Sequence, residues 1–323
     1  MKKTGLLLLL CAVAACAQDL TPAGVVPDIT NAPANTTPTG NSFPVQRIQT
    51  PTYADLYCAG FINKQLLPNA NYVAGGLNTP NTTKFATGDI VYLAGTGYTL
   101  GGQYSILREL RDQNRYESFE NQHKILGETG QPYGEIGRVR IVDMRSKMAI
   151  GQIEYSCDPV NPGDIAVPFV EKQTITFRPP SRFDRFLPAS GKLSGRIVMA
   201  RDFDTVVGTG QKVYMNVGAN QGVKVGDYFR GVRSYTADLK DPVDSLSFDA
   251  STVEDTQRRP ATTEANFLTK GKGPNIHVAD LPRRAVSEIV IIGVTPTTST
   301  GMIVSSFEDV HVGDGVELDD QAQ

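Results

Sequence analysis

The sequence is poor in the residues that metal sites and many active sites require. Among its 323 residues are three histidines, four cysteines and no tryptophan. His123, His277 and His311 are far from one another and from the cysteines, so no metal-ligand spacing occurs. The sequence also lacks a Gly-x-Ser-x-Gly elbow and a phosphate-binding loop motif. We therefore predict a non-catalytic protein without a metal or another cofactor.

The chain also lacks a concentration of charge of one sign and, beyond its N-terminus, a long apolar run. It has 31 basic and 34 acidic residues, which are scattered and give a net charge of −3. Nucleic acid is therefore not a predicted partner, since its binding favours a basic patch. No apolar stretch reaches the roughly 20 residues of a membrane-spanning helix.

The N-terminus has the pattern of an export signal. Two lysines precede an apolar run at residues 6–15, which ends in Val13-Ala14-Ala15-Cys16. This ending resembles the bacterial lipobox, in which the cysteine becomes the lipidated first residue. We therefore predict a signal peptide at 1–15 and a membrane anchor at Cys16; the alternative is an ordinary signal peptide with an incidental cysteine. Ala17 rather than aspartate follows, which predicts the outer membrane, facing the periplasm or the cell surface.

Residues 16–51 have a composition that does not favour a packed core. They are rich in proline, threonine, asparagine and alanine and have almost no aromatic residues. We predict a flexible tether with a span of roughly 30 Å. Beyond it, Cys58 and Cys157 are predicted to form a disulfide in the oxidising envelope, with two buried free thiols as the alternative.

The rest of the chain contains an internal repeat. Residues 151–168 and 301–318 match at six of eighteen positions at an offset of 150, and the likeness extends back to 136–142 and 286–292. Further upstream, 88–93 resembles 210–215, and each is followed by a glycine-rich turn. We therefore predict two modules, at 57–170 and 193–318, that open with strands at 59–62 and 194–198.

Both modules have the pattern of small β domains. Branched and aromatic residues alternate with polar ones, and turn residues recur about every ten positions, which predicts a mainly β fold of two tandem barrels or sandwiches. Helix is expected only at 115–124. The remaining segments are a connector at 171–192, a polar insertion at 235–282 that is either disordered or functional, and a tail at 319–323.

Two sets of residues are candidates for local function. The connector combines arginine with phenylalanine, which is typical of protein interfaces, although the phenylalanines could instead pack on the modules: Arg178, Arg182, Phe183, Arg185 and Phe186. Three Gly-Asp pairs are predicted to form turns in which glycine takes a positive φ and aspartate binds backbone amides: Gly163-Asp164, Gly226-Asp227 and Gly313-Asp314. Calcium ligation is the alternative for the repeated pairs.

The second module resembles a known domain. The likeness depends on Val213, Tyr214, Gly218, Gly222, Gly226, Asp227, Phe229, Val310, Gly313 and Asp314. This pattern is similar to the C-terminal domain of flagellar assembly protein T, also found in the secretin-associated LysM protein of type IV pili. No LysM segment precedes the modules, so peptidoglycan binding is not implied. The first module departs from the pattern, with Gly102 and Gln103 where the family has Gly-Asp.

The resemblance implies a non-catalytic role in assembling or stabilising a cell-envelope machine of the secretin, pilus or flagellar-base type. The predicted partners are therefore the membrane, through the N-terminal lipid, and other envelope proteins. The alternative function is a lipoprotein that binds a glycan or another small molecule in a cleft between the two barrels.

Overall fold

Two closed β-barrels make up most of the described chain. The computed structural model describes residues 49–175, 184–186, 188–234 and 282–319. The predicted fold class, mainly β with two tandem barrel modules, is confirmed. The predicted signal peptide, Cys16 and most of the tether lie outside the described residues, as do most of the 235–282 insertion and residues 320–323 of the tail.

The first barrel is a ring of six antiparallel strands. Its order is β5-β4-β7-β2-β3-β6, and pairing between β5 and β6 closes it, while β1 pairs with β5 outside the ring. A short helix, α1 (Tyr53–Tyr57), precedes it. The strands are β1 Phe61–Asn63, β2 Tyr72–Gly76, β3 Ile90–Ala94, β4 Gln103–Glu109, β5 Gln131–Arg145, β6 Met148–Ser156 and β7 Ile165–Pro168.

The second barrel has the same ring order. Its strands follow one another as β12-β11-β15-β8-β10-β13, and β9 and β14 form a separate two-stranded ladder. The strands are β8 Ser194–Ala200, β9 Val206–Val207, β10 Lys212–Met215, β11 Tyr228–Arg233, β12 Arg284–Val294, β13 Ser299–Ser306, β14 Val310–His311 and β15 Gly315–Leu318. A 3-10 turn at Ala219–Gln221 precedes β11.

The register shows why the two copies share particular glycines. Gly151 lies opposite Val91 and Ile141, and Gly301 lies opposite Val213 and Ile291, so the two sites are equivalent. A Cβ on Gly151 would lie 2.2 Å from the Val139 side chain, and one on Gly301 would lie 2.4 Å from that of Ile289. A larger residue at either position would therefore displace an inward-facing side chain of the neighbouring strand.

One predicted strand equivalence is wrong. The sequence suggested that 59–62 and 194–198 open the two modules in the same way, but the counterpart of β8 in the ring is β2 (Tyr72–Gly76). The strand at 61–63, β1, instead lies outside the first ring and contacts the second barrel through its backbone. Its first two residues, Phe61 and Ile62, are of types that are common in ring strands, so the sequence does not distinguish β1 from a strand of the ring.

The predicted helix at 115–124 is also displaced. The observed helix, α2 (Gln122–Thr129), begins after Asn121, whose φ is positive at 65°. The Glu117 carboxylate accepts hydrogen bonds from the amides of Asn121 and His123, at 3.2 and 2.9 Å. This carboxylate satisfies amides at the helix start and holds the preceding residues in a loop.

That loop completes the core of the other barrel. Phe119 belongs to the first module by sequence, yet its side chain is buried among residues of the second barrel. The Arg196 guanidinium lies 4.9 Å from the centre of the Phe119 ring, and the side-chain amide of Gln122 donates to the Val198 carbonyl at 3.0 Å. The connection between β4 and β5 is therefore shared by both barrels.

Candidate interaction surfaces

The Gly-Asp pairs are turn residues. Gly163, Gly226 and Gly313 have φ values of 93°, 93° and 111°. In each turn the aspartate side chain accepts the amide of the residue three positions earlier, at distances of 2.7 to 2.8 Å: Asn161 to Asp164, Lys224 to Asp227 and His311 to Asp314. This is the geometry that the sequence predicts for a turn.

Two of these aspartates also bind an arginine that the sequence analysis did not single out. Arg108 on β4 and Arg233 on β11 occupy equivalent positions. Each forms a bidentate pair, Arg108 with Asp164 at 2.7 and 2.8 Å and Arg233 with Asp314 at 2.8 and 2.9 Å. The arginine recurs at the same position of the two aligned copies, and this recurrence is a sequence signal for the arginine-aspartate pair. Because the carboxylates are bound to guanidinium groups, the geometry favours a structural role over calcium ligation.

The predicted disulfide is present. Cys58 and Cys157 are bonded, with their Cα atoms 5.7 Å apart. The bond joins the end of α1 to the chain just beyond β6, and so fixes the segment 53–63 to the first barrel. Among the residues that the structure describes, no cluster of three His, Cys, Asp or Glu side chains could hold a metal ion.

The segment 53–63, here called the wedge, lies between the two barrels. Leu56, Tyr57 and Ala59 are buried against outward-facing residues of the second barrel. Polar contacts accompany this packing: the buried Tyr214 hydroxyl donates to the Ala59 carbonyl at 2.8 Å, and the Lys212 ammonium group binds the Asp55 carboxylate. Burial raises the pKa of Tyr214, so this hydroxyl remains a donor.

Acid should weaken the wedge through Asp55. Burial alone would raise the pKa of Asp55, but hydrogen bonds from Lys212 and Thr52 outweigh it and hold the pKa below its usual value. The stabilisation is therefore complete above about pH 4 and is lost as the pH falls through the lowered pKa. We expect Asp55→Asn to lower the free energy of unfolding by about 1 kcal/mol at pH 7.

Urea denaturation between pH 2 and pH 7 measures this difference. The difference in the free energy of unfolding between Asp55→Asn and the wild type should disappear at the acidic end, where both side chains are neutral. Glu120→Gln, at an exposed position, is the control and should follow the wild type throughout. A gap that does not depend on pH would contradict the assignment to the Asp55 charge.

A cleft of about 350 Å³ opens beside the wedge. Residues of both barrels line it, with apolar side chains from Phe61 and Ile292 and an ion pair between Glu135 and Lys172. Lys172 also donates to the Leu56 carbonyl at 2.6 Å, and Glu135 accepts the Gly60 amide at 3.1 Å. The pair thus binds the wedge backbone at the edge of the cleft.

The outer faces of the two barrels differ in chemistry although their strands are equivalent. On the second barrel the outward-facing side chains are apolar and buried under the wedge: Tyr228, Val290, Ile292, Met302 and Val304. On the first barrel the equivalents of four of these are polar: Gln103, Arg140, Gln152 and Glu154. Glu154 accepts from Gln103 at 2.8 Å and from Arg140 at 2.6 Å, so this face is a hydrogen-bonded polar surface.

An apolar patch remains at the end of this polar face. The hairpin between β5 and β6 carries Val142, Met144 and Met148, which are 44%, 50% and 44% exposed. We call these three side chains the hairpin tip. At the equivalent positions of the second barrel, Ile292 and Thr298 are buried and Val294 is partly buried. The same structural element is therefore covered in one module and exposed in the other.

The predicted arginine and phenylalanine interface is only partly described. Arg178, Arg182 and Phe183 lie outside the described residues. Arg185 forms an ion pair with Glu308, and its carbonyl accepts the Ala285 amide at 2.7 Å. Phe186 is 62% exposed, so its side chain does not pack into the barrel core.

Comparison with known proteins adds no relative. No protein-family model matches the chain, and no curated protein matches it significantly. Within the described ranges, no helix has the length and apolar character needed to cross a membrane.

Proposed function

We propose that this chain is a non-catalytic, lipid-anchored scaffold that binds other proteins of a bacterial cell envelope. The hairpin tip is the observation that supports this proposal. Three large apolar side chains are exposed at the end of a hairpin, with Met144 on the face that carries the core residue Ala149 and Met148 on the opposite face. The equivalent hairpin of the second module binds the wedge. Exposed apolar side chains bordered by polar residues are typical of protein interaction sites.

The rest of the architecture suits a scaffold. The disulfide, the wedge and the shared loop of Phe119 join the two barrels by several contacts, so a partner bound at the tip would be held in a fixed orientation. The predicted lipid on Cys16 and the tether would keep this body close to the membrane. The resemblance to flagellar assembly protein T suggests partners of the secretin, pilus or flagellar-base type.

Crosslinking in intact cells tests the proposal. The tagged full-length protein is expressed in a Gram-negative host that contains such machines, and copurified proteins are identified. We expect recovery of envelope-machine components with the wild type, and at least about tenfold less with Met144→Asp, because a charge would replace a buried apolar contact. Leu77→Asp, at another exposed apolar position of the first module, is the matched control.

A Cys16→Ala variant separates the contribution of the anchor. It should remain folded and lose the envelope partners, because it is no longer held at the membrane. Equal recovery with Met144→Asp and the wild type would contradict the proposed role of the hairpin tip.

The cleft beside the wedge favours one other function, the binding of a small molecule. Its apolar walls and the Glu135 and Lys172 ion pair resemble the mixed lining of small-ligand sites. If the crosslinking experiment recovered only a glycan or another small molecule, this second function would replace the scaffold role.

A further inference from the structure

The contact between the two barrels has two complementary sides. One side is the hairpin between β12 and β13, from which the hydroxyl of Thr298 donates to the Ile62 carbonyl at 2.8 Å and that of Thr300 to the Gly60 carbonyl at 3.0 Å. The other side is the edge formed by the wedge where it lies along the start of β5. The second module thus supplies a hairpin, and the first module supplies a receiving edge.

Each module also has an equivalent of the side that the other module contributes: the first module has a hairpin, and the second module has an edge. Neither of these takes part in the contact between the two barrels. The first module presents the hairpin tip, which is equivalent to the docked hairpin of the second. In the second module, residues 184–186 lie beside the start of β12, where the Ala285 amide donates to the Arg185 carbonyl. This position corresponds to that of the wedge beside β5, so residues 184–186 are the counterpart of the receiving edge.

Exposed apolar side chains lie at both unused sides. The tip presents Val142, Met144 and Met148, and the edge presents Phe186. The polar groups next to them are already bound within the chain: Arg145 pairs with Asp143 at 2.7 Å, and Arg185 pairs with Glu308. Contact between the two sides would therefore bury apolar area without requiring these ion pairs to break.

We infer that this protein associates head to tail with a second copy of itself, the hairpin tip of one molecule packing on the Phe186 edge of the next. The inference rests on the proposed function, because it names the partner of the same hairpin tip. The contact places equivalent elements together as in the junction within one chain, but Met148 and Ile150 stand at the tip where the junction has the hydroxyl donors Thr298 and Thr300, so apolar packing takes the place of those hydrogen bonds. Because it joins two different surfaces, it forms either open rows with a free tip at one end and a free edge at the other, or closed rings in which every tip and edge is used.

The two sides can be inactivated separately, which gives a direct test. Two differently tagged copies of the full-length protein are coexpressed, solubilised in mild detergent and recovered through one tag. Met144→Asp in both copies should reduce recovery of the second tag at least about tenfold, and so should Phe186→Asp in both copies. Leu77→Asp in both copies should leave recovery at the wild-type level.

The mixed pair is the decisive measurement. A Met144→Asp copy retains its edge, and a Phe186→Asp copy retains its tip. The two copies therefore form one intact contact, and the assembly stops at this pair. We expect recovery of about half the wild-type amount, since one of the two possible orientations remains. Thermal melting of each variant should match the wild type, because both replaced side chains are exposed.

Two results would overturn the inference. Failure of the mixed pair to associate would show that the two surfaces do not bind each other. Wild-type recovery from the doubly substituted tip pair, combined with loss of its binding to lipid vesicles, would assign the tip to the membrane surface. The proposed function would survive the first result if envelope partners still depended on Met144, so the two failures are distinguishable.

Discussion

Reduction of the disulfide should lower the melting temperature of this protein by roughly 6 to 12 °C. Cys58 and Cys157 are 99 residues apart, and closing a loop of about this length restricts the unfolded chain by up to about 4.7 kcal/mol in the entropy model. A loss of about 3 kcal/mol is expected after native strain and residual structure are allowed for, and each kcal/mol corresponds to about 2 to 4 °C at this size.

Calorimetry with and without a thiol reductant measures the effect. The double variant Cys58→Ser/Cys157→Ser is the control: it should melt at the lower temperature in both conditions. The wedge should also loosen, since the bond fixes its centre to the first barrel. An equal melting temperature for the oxidised and reduced wild type would show that the bond does not contribute to stability.

The Arg233 and Asp314 pair should be the more sensitive of the two equivalent ion pairs. Both partners are buried, with side chains 8% and 6% exposed. Asp314→Ala would remove the bidentate carboxylate from a buried guanidinium group that keeps the Asp309 carbonyl at 2.7 Å and the Glu308 carboxylate at 3.9 Å. We therefore expect the free energy of unfolding to fall by about 3 kcal/mol, the lower end of the range for a broken buried pair. The turn at 311–314 would also lose the hydrogen bond to the His311 amide.

The first module supplies a matched comparison. Arg108 is 28% exposed, so its guanidinium group can be hydrated when Asp164→Ala removes its partner. The expected loss for this variant is about 1 to 2 kcal/mol. Urea denaturation of both variants measures the difference. Equal losses would mean that burial of the arginine does not determine the cost.

The sequence predicted the barrels well because the repeat provided two observations of each element. The pairing of Gly151 with Val91 recurs in Gly301 with Val213, and the Gly-Asp turns recur at the ends of equivalent strands. Alternation and turn residues then determine the fold class, since a strand buried on one face shows a period of two.

Other features depend on contacts between modules, which the period of a strand does not indicate. The wedge is one such feature, since Phe61 and Ile62 are residue types that also occur in the strands of the ring. Phe119 is another, because a single phenylalanine in a polar loop gives no signal that it completes a distant core. The sequence contains one signal of the wedge: residues 289–294 of β12 form a run without polar side chains, whereas the equivalent residues 139–144 of β5 are interrupted by Arg140 and Asp143. Such a run indicates burial on both faces, here by the barrel core and the wedge.

The candidate site was predicted only in part. Phe186 was an interface candidate because of its arginine-rich surroundings, with packing on the modules as the alternative, whereas the sequence did not indicate the hairpin tip. Val142, Met144 and Met148 occupy ordinary strand positions, and their exposure depends on the absence of a wedge over the first barrel among the described residues. Comparison of the two copies within the fold was needed to recognise that equivalent positions have different surroundings.

The shared loop of Phe119 also affects how this chain can be divided. A cut between the modules would leave an unburied phenylalanine on the N-terminal fragment and an incompletely filled interior in the C-terminal one. The wedge would at the same time lose the surface that covers Leu56 and Tyr57. The duplicated unit visible in the sequence is therefore not the unit that folds: recombination or fragment swapping at the repeat boundary would separate two barrels that complete each other.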